Sequence, residues 1–264
     1  MNKKLAFLIG ILAFFAMKTM AQDHKYGIYL GVNGSNMNIT SDLYYYDSEP
    51  FVEIHGTDTT VRYLPVENAS LSPKYSFTIG GYYEMPFTEK IWLQLHLIYN
   101  KYGYIINGIV DHPNIDPAHP EFSREDDYQG KLKMSNLCAS ILLKYDLPNQ
   151  HLSIQAGLTP SLCVRMQKDV EFKLQGKDQI IEKKTINYKK DEYNPLNICG
   201  TIGATYYLLD DIMISLTANF GLTDVLKVKE PYYHEVDNSK QISYKYTDTK
   251  STTNSVALTV GYRF

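Results

Sequence analysis

The chain has 264 residues and a formal net charge of −3, with 23 tyrosines and 3 cysteines. Near-neutral charge argues against a nucleic-acid partner, and the length bounds the fold to one large β domain or two ordinary ones. Cys138, Cys163 and Cys199 are an odd set with no CxxC spacing, so they read as small strand residues rather than a disulfide framework or zinc site; a single disulfide stays open.

In chain order the first element is a targeting segment. Lys3 and Lys4 precede an apolar run from Leu5 to Met17 and a small residue at Ala21, the layout of a signal peptide over residues 1–21 cleaved before Gln22. The alternative, a membrane anchor, needs roughly 20 apolar residues, and this run is shorter. No cysteine follows the cleavage position to carry a lipid anchor. Residues 22–264 are then the mature domain.

Eight segments of period-two alternation follow, each near the length of a tilted membrane strand. The first, KYGIYLGVNGSNM, sets Tyr26, Ile28, Leu30 and Val32 against Gly27, Tyr29, Gly31 and Asn33. The second, KYSFTIGGYYEM, opposes Tyr75, Phe77 and Ile79 to Ser76, Thr78, Tyr82 and Glu84. In the third, Leu93, Leu95 and Leu97 alternate with Trp92, Gln94, His96 and Ile98; in the fourth, Leu137, Ile141, Leu143 and Tyr145 alternate with Cys138, Ser140 and Lys144. The fifth starts at HLSIQAGL, the sixth covers about 196–208, the seventh about 212–222, and the eighth is SVALTVGYRF. Side chains on alternate positions share a face, so each segment has one large apolar face and one small or polar face.

Connection lengths alternate as strictly. Long stretches follow the first, third, fifth and seventh segments, the first spanning residues 38–72 and the second reaching about residue 130, whereas PFTEK, PNQ and the turn at Asp210 and Asp211 follow the even ones. An eight-stranded antiparallel transmembrane β-barrel with short periplasmic turns and long extracellular loops produces this rhythm. A soluble lipocalin-like barrel or sandwich would also alternate, apolar face inward. Against it, the second face is rich in Gly, Ser, Thr, Asn and Gln with few charges. Aromatic residues also end the apolar ladders at Tyr26, Tyr75, Tyr83, Tyr99, Tyr145, Tyr206, Tyr262 and Phe264, where interfacial girdles belong.

The runs NLCASILLKYDLPNQHLSIQAGLTPSL and NICGTIGATYYLLDDIMISLTANFGLTDV resemble the outer-membrane protein β-barrel domain family, the PorT-like, porin-family proteins of Bacteroidetes. The family's Leu-Leu-x-Lys-Tyr strand has its counterpart in Leu-Leu-Lys-Tyr at 142–145, one residue shorter, and the other matching features are Gly-x-x-Pro-Ser-Leu at 157–162, a glycine-rich strand at 200–206 and Phe-Gly-Leu-Thr-Asp at 220–224. Many members carry a proline before the Leu-Leu, where this chain has Ala139 and Ser140. The resemblance implies a bacterial outer-membrane location and a C-terminal strand, ending in Tyr262 and Phe264, that acts as an assembly signal. It implies no reaction.

No GxSxG, P-loop or HExxH motif is present, and the histidines are scattered. The phase of the segments points Glu84, His96, Lys144, Arg165 and Arg263 into the lumen, where a polar network filling a narrow core is expected, since buried charges persist when partnered. A catalytic role for that set is the weaker reading. Three further features read as solvated loop: the glycosylation-like Asn68-Ala69-Ser70, the cation-ligand-like DHPNIDPAHPEFSREDD, and the lysines at 183, 184, 189 and 190. The expected protein is thus a non-enzymatic outer-membrane barrel with a side-chain-filled lumen and no cofactor or metal. Its expected role is structural or loop-mediated binding in the envelope. Expected partners are outer-membrane lipid, the barrel-assembly machinery through the last strand, and an extracellular ligand or envelope protein through the loops, with no nucleic acid. Alternatives are a PorT-like accessory of a secretion or gliding apparatus, or a narrow porin-like channel.

Overall fold

The structure, a computed structural model, describes residues 24–40, 49–55, 58–64, 66–112, 124–148, 151–174, 180–190, 193–209, 211–226 and 250–264. Residues 1–21, expected to be a signal peptide, and most of the acidic and histidine-containing stretch after His112 lie outside the described residues. The strands are β1 (Lys25–Thr40), β2 (Glu49–His55), β3 (Asp58–Leu64), β4 (Val66–Pro86), β5 (Ile91–His112), β6 (Arg124–Asp146), β7 (Leu152–Leu174), β8 (Ile180–Asn187), β9 (Leu196–Tyr207), β10 (Ile212–Gly221) and β11 (Lys250–Arg263).

Eight of these strands close a ring. The order β6-β5-β4-β1-β11-β10-β9-β7 is sealed by direct β6–β7 pairing, and every described pairing around it is antiparallel. The expected eight-stranded antiparallel barrel is therefore the observed architecture, with two additions. A ninth strand, β8, pairs with residues 167–173 of β7 beyond the point where β9 leaves it, and β2 and β3 form a separate hairpin. Closure matters because lipid offers no partner to an open strand edge. At the seam Gly27 pairs with Arg263, the Phe264 amide donates to the Tyr26 carbonyl at 2.8 Å, and the two rings stack 5.5 Å apart.

Alternation places the apolar ladders outward. Leu30, Val32, Ile79, Leu97, Ile141, Leu158, Leu216 and Leu258 are exposed on the barrel's outer surface, while Asn33, Thr78, Gln94, Asn100, Ser140, Thr159, Thr201, Ser215 and Thr259 are buried inside. Large and small inner side chains interlock. A Cβ on Gly27 would lie 2.6 Å from the Tyr82 ring, and one on Gly80 would lie 2.8 Å from the Tyr29 ring, so these two glycines make the room that the tyrosines occupy.

The staves are longer than the sequence rhythm suggests. Strands β4 to β7 have 21 to 23 residues, about twice the 9–11 needed to cross hydrocarbon. Residues read as loop before Ser72 and up to Gly130 instead include the outer halves of β4, β5 and β6, and Asn68 lies in β4 at a register shift, with φ 51°. In these extensions the pattern inverts: Tyr102, Tyr104, Ile106, Leu132, Met134, Met166 and Val170 are buried inside, and Lys133 and Arg165 are exposed.

That inversion corrects one expectation. Arg165, expected in the lumen by counting forward from Thr159, is exposed on the outer surface. Ser135 pairs with Arg165 but its neighbour Asn136 pairs with Cys163, so Val164 is an extra residue that shifts the phase of β7 by one. Substituting Arg165→Cys should give a thiol that a charged, membrane-impermeant maleimide modifies on intact cells. The buried Cys138, Cys163 and Cys199 should react only after unfolding; protection at position 165 would place the phase shift elsewhere.

Candidate functional site

Among the described residues, polar and ionisable side chains gather in the lumen, in layers set by strand register. Near the short turns, Glu84 pairs across β4 and β5 with Gln94, and Trp92 pairs across β5 and β6 with Lys144. All four side chains enter the lumen by alternation. Lys144 Nζ donates to Glu84 Oε2 at 2.9 Å, with side-chain exposures of 1% and 0%. Gln94 Nε2 donates to the second carboxylate oxygen at 2.6 Å, and Lys144 also donates to Tyr207 Oη at 3.0 Å. Asp146 Oδ1 lies 3.5 Å from the same ammonium.

Aromatic faces complete this layer. The Lys144 ammonium lies 5.4 Å from the Trp92 ring and 5.3 Å from the Tyr207 ring, with Lys25 4.0 Å over Trp92 and the Arg263 guanidinium 4.6 Å over Tyr207. A buried ion pair persists when its remaining donors and acceptors are satisfied, and here Gln94, Tyr207 and the ring faces do that.

One register step further in, Tyr82 pairs with His96, and Tyr29 Oη lies 3.1 Å from His96 Nδ1. Above them Ser140, Thr159, Thr201, Asn219 and Ser255 form a chain of side-chain contacts at 2.6 to 3.1 Å, crossing five staves. Asn33 donates to Asn100 on the other side. The space left among these groups is a cavity of about 50 Å³, room for a few water molecules at about 10–15 Å³ each.

The outer end is closed differently. Met37, Tyr102, Tyr104, Ile106, Leu132, Met134, Met166, Val170 and Phe172 form one buried apolar cluster with Cys138 and Cys163, joined by Tyr193, Val225 and Leu226 from beside β9 and β10. An isolated bridge between Tyr193 and Leu226 holds those two segments together.

Of the five residues expected in a lumen network, Glu84 and Lys144 are in direct contact, His96 lies one register step above, Arg263 stacks at the periplasmic rim, and Arg165 is outside the barrel. Gln94 and Tyr207 complete the ion pair and are not among those five. The signal for Tyr207 was present: Tyr206 belongs to the outer aromatic girdle, so alternation turns its neighbour inward. In the cation-ligand-like stretch, Asp126 is buried and Asp127 is half-buried on the opposite face, so these two carboxylates do not converge.

Removing one partner of a buried pair costs roughly 3–5 kcal/mol because the other charge is stranded. Lys144→Met should therefore lower stability against denaturant in lipid by about that amount. The double variant Glu84→Gln with Lys144→Met should recover much of the loss. Equal losses in single and double variants would show that the pair is not coupled.

Comparison with known proteins agrees with this architecture. A profile described as outer membrane protein beta-barrel domain matches residues 20–227. No curated relative matches the sequence. Among solved structures, the chain is similar to Ail, the attachment invasion locus protein of Yersinia pestis, at 10% identity over 92% of this chain and 100% of that one, with a TM-score of 0.38. It is also similar to the outer membrane protease OmpT of Escherichia coli (10% identity, 94% and 99% coverage, TM-score 0.40). A third is the outer membrane protein OprG of Pseudomonas aeruginosa (11% identity, 92% and 97% coverage, TM-score 0.33). These distant likenesses carry nothing about activity. The family match spans most of the sequence, and the chain belongs to the outer membrane protein β-barrel domain family of the bacterial outer membrane.

Proposed function

We propose that this protein is a sealed, non-catalytic outer-membrane barrel whose role is structural or binding and is carried by its extracellular side. The observation that supports this reading is the filling of the lumen: an ion-paired layer at one end, a hydroxyl and amide layer with a cavity of about 50 Å³, and an apolar plug at the other end. An eight-stranded barrel is only wide enough to be filled by its own side chains, which disfavours the porin-like alternative. The secretion-accessory alternative rests on the motif resemblance.

In this reading residues 1–21 are removed on export. Strand β11, with Tyr262 and Phe264 facing lipid, is the segment through which the assembly machinery would recognise the chain, and the loops carry contact with an extracellular ligand or envelope protein. Purified protein in planar bilayers should give no large, long-lived conductance steps; such steps at moderate voltage would overturn the sealed-lumen reading.

A further inference from the structure

Among the described residues, the exposed cations at the outer end of the apolar belt gather on one side. Where the outward ladders of β5 to β7 leave lipid, beyond Tyr99, Leu137 and Val164, the next two outward rows carry cations. Lys101 pairs with Ser135, which pairs with Arg165; one row further, Gly103 pairs with Lys133, which pairs with Gln167. Neither row contains an acid. The first outward carboxylate is Asp169, one row higher, and it is engaged by Lys133 and by Thr185 Oγ1 at 2.9 Å. On the opposite side, the outward positions of β1 and β11 at this height are Gly34, Asn36, Asn254 and Thr252.

Lys74 joins the group from β4. A Cβ on Gly103 would lie 3.0 Å from Lys74 Cδ, so the absent side chain at 103 lets the lysine stem cross β5 toward Lys133. Its stem is half-buried, and the ammoniums of Lys133 and Lys101 are its charged neighbours. The Lys101 ammonium lies 4.9 Å over the Phe77 ring, at the level of the aromatic girdle. Four cations thus face one carboxylate at the height of the outer-leaflet headgroups, over a width of about 14 Å across four strands.

We propose that Lys74, Lys101, Lys133 and Arg165 form a site for the phosphorylated headgroup of an outer-leaflet glycolipid whose acyl chains lie along Phe77, Tyr99 and Leu137. Charge complementarity supplies the attraction, and the adjacent apolar ladder selects a lipid over a free anion. The inference rests on the barrel's place in the membrane and is independent of whether the lumen conducts.

The test uses the full-length barrel in neutral detergent, titrated with bisphosphorylated lipid A, with its dephosphorylated form and with inorganic phosphate. The phosphorylated lipid should bind at least tenfold tighter than either other probe. Lys101→Gln with Arg165→Gln should weaken it roughly tenfold to thirtyfold, as expected for two cations beside an anionic headgroup. Lys90→Gln, in the short turn between β4 and β5 at the opposite end of the barrel, should leave binding unchanged. The charge-conserving Lys101→Arg with Arg165→Lys should retain binding, which separates loss of charge from loss of folding. Equal binding of both lipid forms, parent-like binding by the neutralised variant, or phosphate binding as tightly as lipid would each overturn the proposal.

Discussion

Ring closure is the constraint on which the rest depends. A strand crossing hydrocarbon must give every amide a partner, and the chain meets this by pairing β1 with β11 over the register Gly27–Arg263 to Thr40–Lys250. Once eight strands close, the interior is just wide enough for side chains to fill. The polar lumen then follows from geometry. Each outward apolar residue is flanked by an inward one that must interlock with the opposite wall, so Gly, Ser, Thr and Asn alternate with a few large rings such as Tyr29, Tyr82 and Tyr207. The Glu84–Lys144 pair fits this setting because two opposite charges with satisfied remaining donors occupy a closed volume that one charge alone could not.

A change of solvent along the same strands explains the second half of the structure. Within the membrane span, β5 and β6 set Leu97 and Ile141 outward against Asn100 and Ser140 inward. Beyond it, with no break in pairing, Ile106 and Leu132 are buried and Lys133 is exposed. The backbone is the same ladder throughout, and only the side-chain identities respond, first to lipid outside and then to water outside. In β7 an extra residue at Val164 falls at this boundary. It turns Met166, Lys168 and Val170 inward, so the apolar cluster gains a wall that strict alternation from Thr159 would have directed outward.

The membrane-spanning part was legible because period-two alternation over nine or so residues is local and repeats in every stave. The faces of Ile28 to Val32 and of Val256 to Phe264 follow from counting alone. The outer extensions were harder to read. Their outward face is polar and their flanks contain Gly103, Gly108 and Gly130, so they resemble solvated loop unless the buried partners across the strands are known. A single bulge also carries no composition signal: Leu162-Cys163-Val164-Arg165 alternates as well in one phase as in the other, and pairing with β6 selects between them. Partner identity in the lumen likewise depends on register. Alternation assigns Glu84, Gln94 and Lys144 to one face, and only the pairing of Trp92 with Lys144 places that lysine beside the carboxylate.

The distribution of structure outside the membrane bears on what such a molecule can do. Strands β9 and β10 have 12 and 10 residues, against 23 in each of β6 and β7, so the barrel rises as a wall on one side. An apolar cluster of this size inside the wall gives the extension its own core, since buried apolar area contributes roughly 25 cal/mol per Å². The wall's outer face is stitched by exposed pairs such as Lys183 with Glu171 at 2.6 Å, which add little stability at the surface but keep the face hydrated. Rigid extended strands, rather than loops alone, therefore present the extracellular surface. A binding surface held by paired strands loses less conformational freedom on contact than one made of free loops, and that is the physical advantage of extending the staves past the bilayer instead of ending them at its edge.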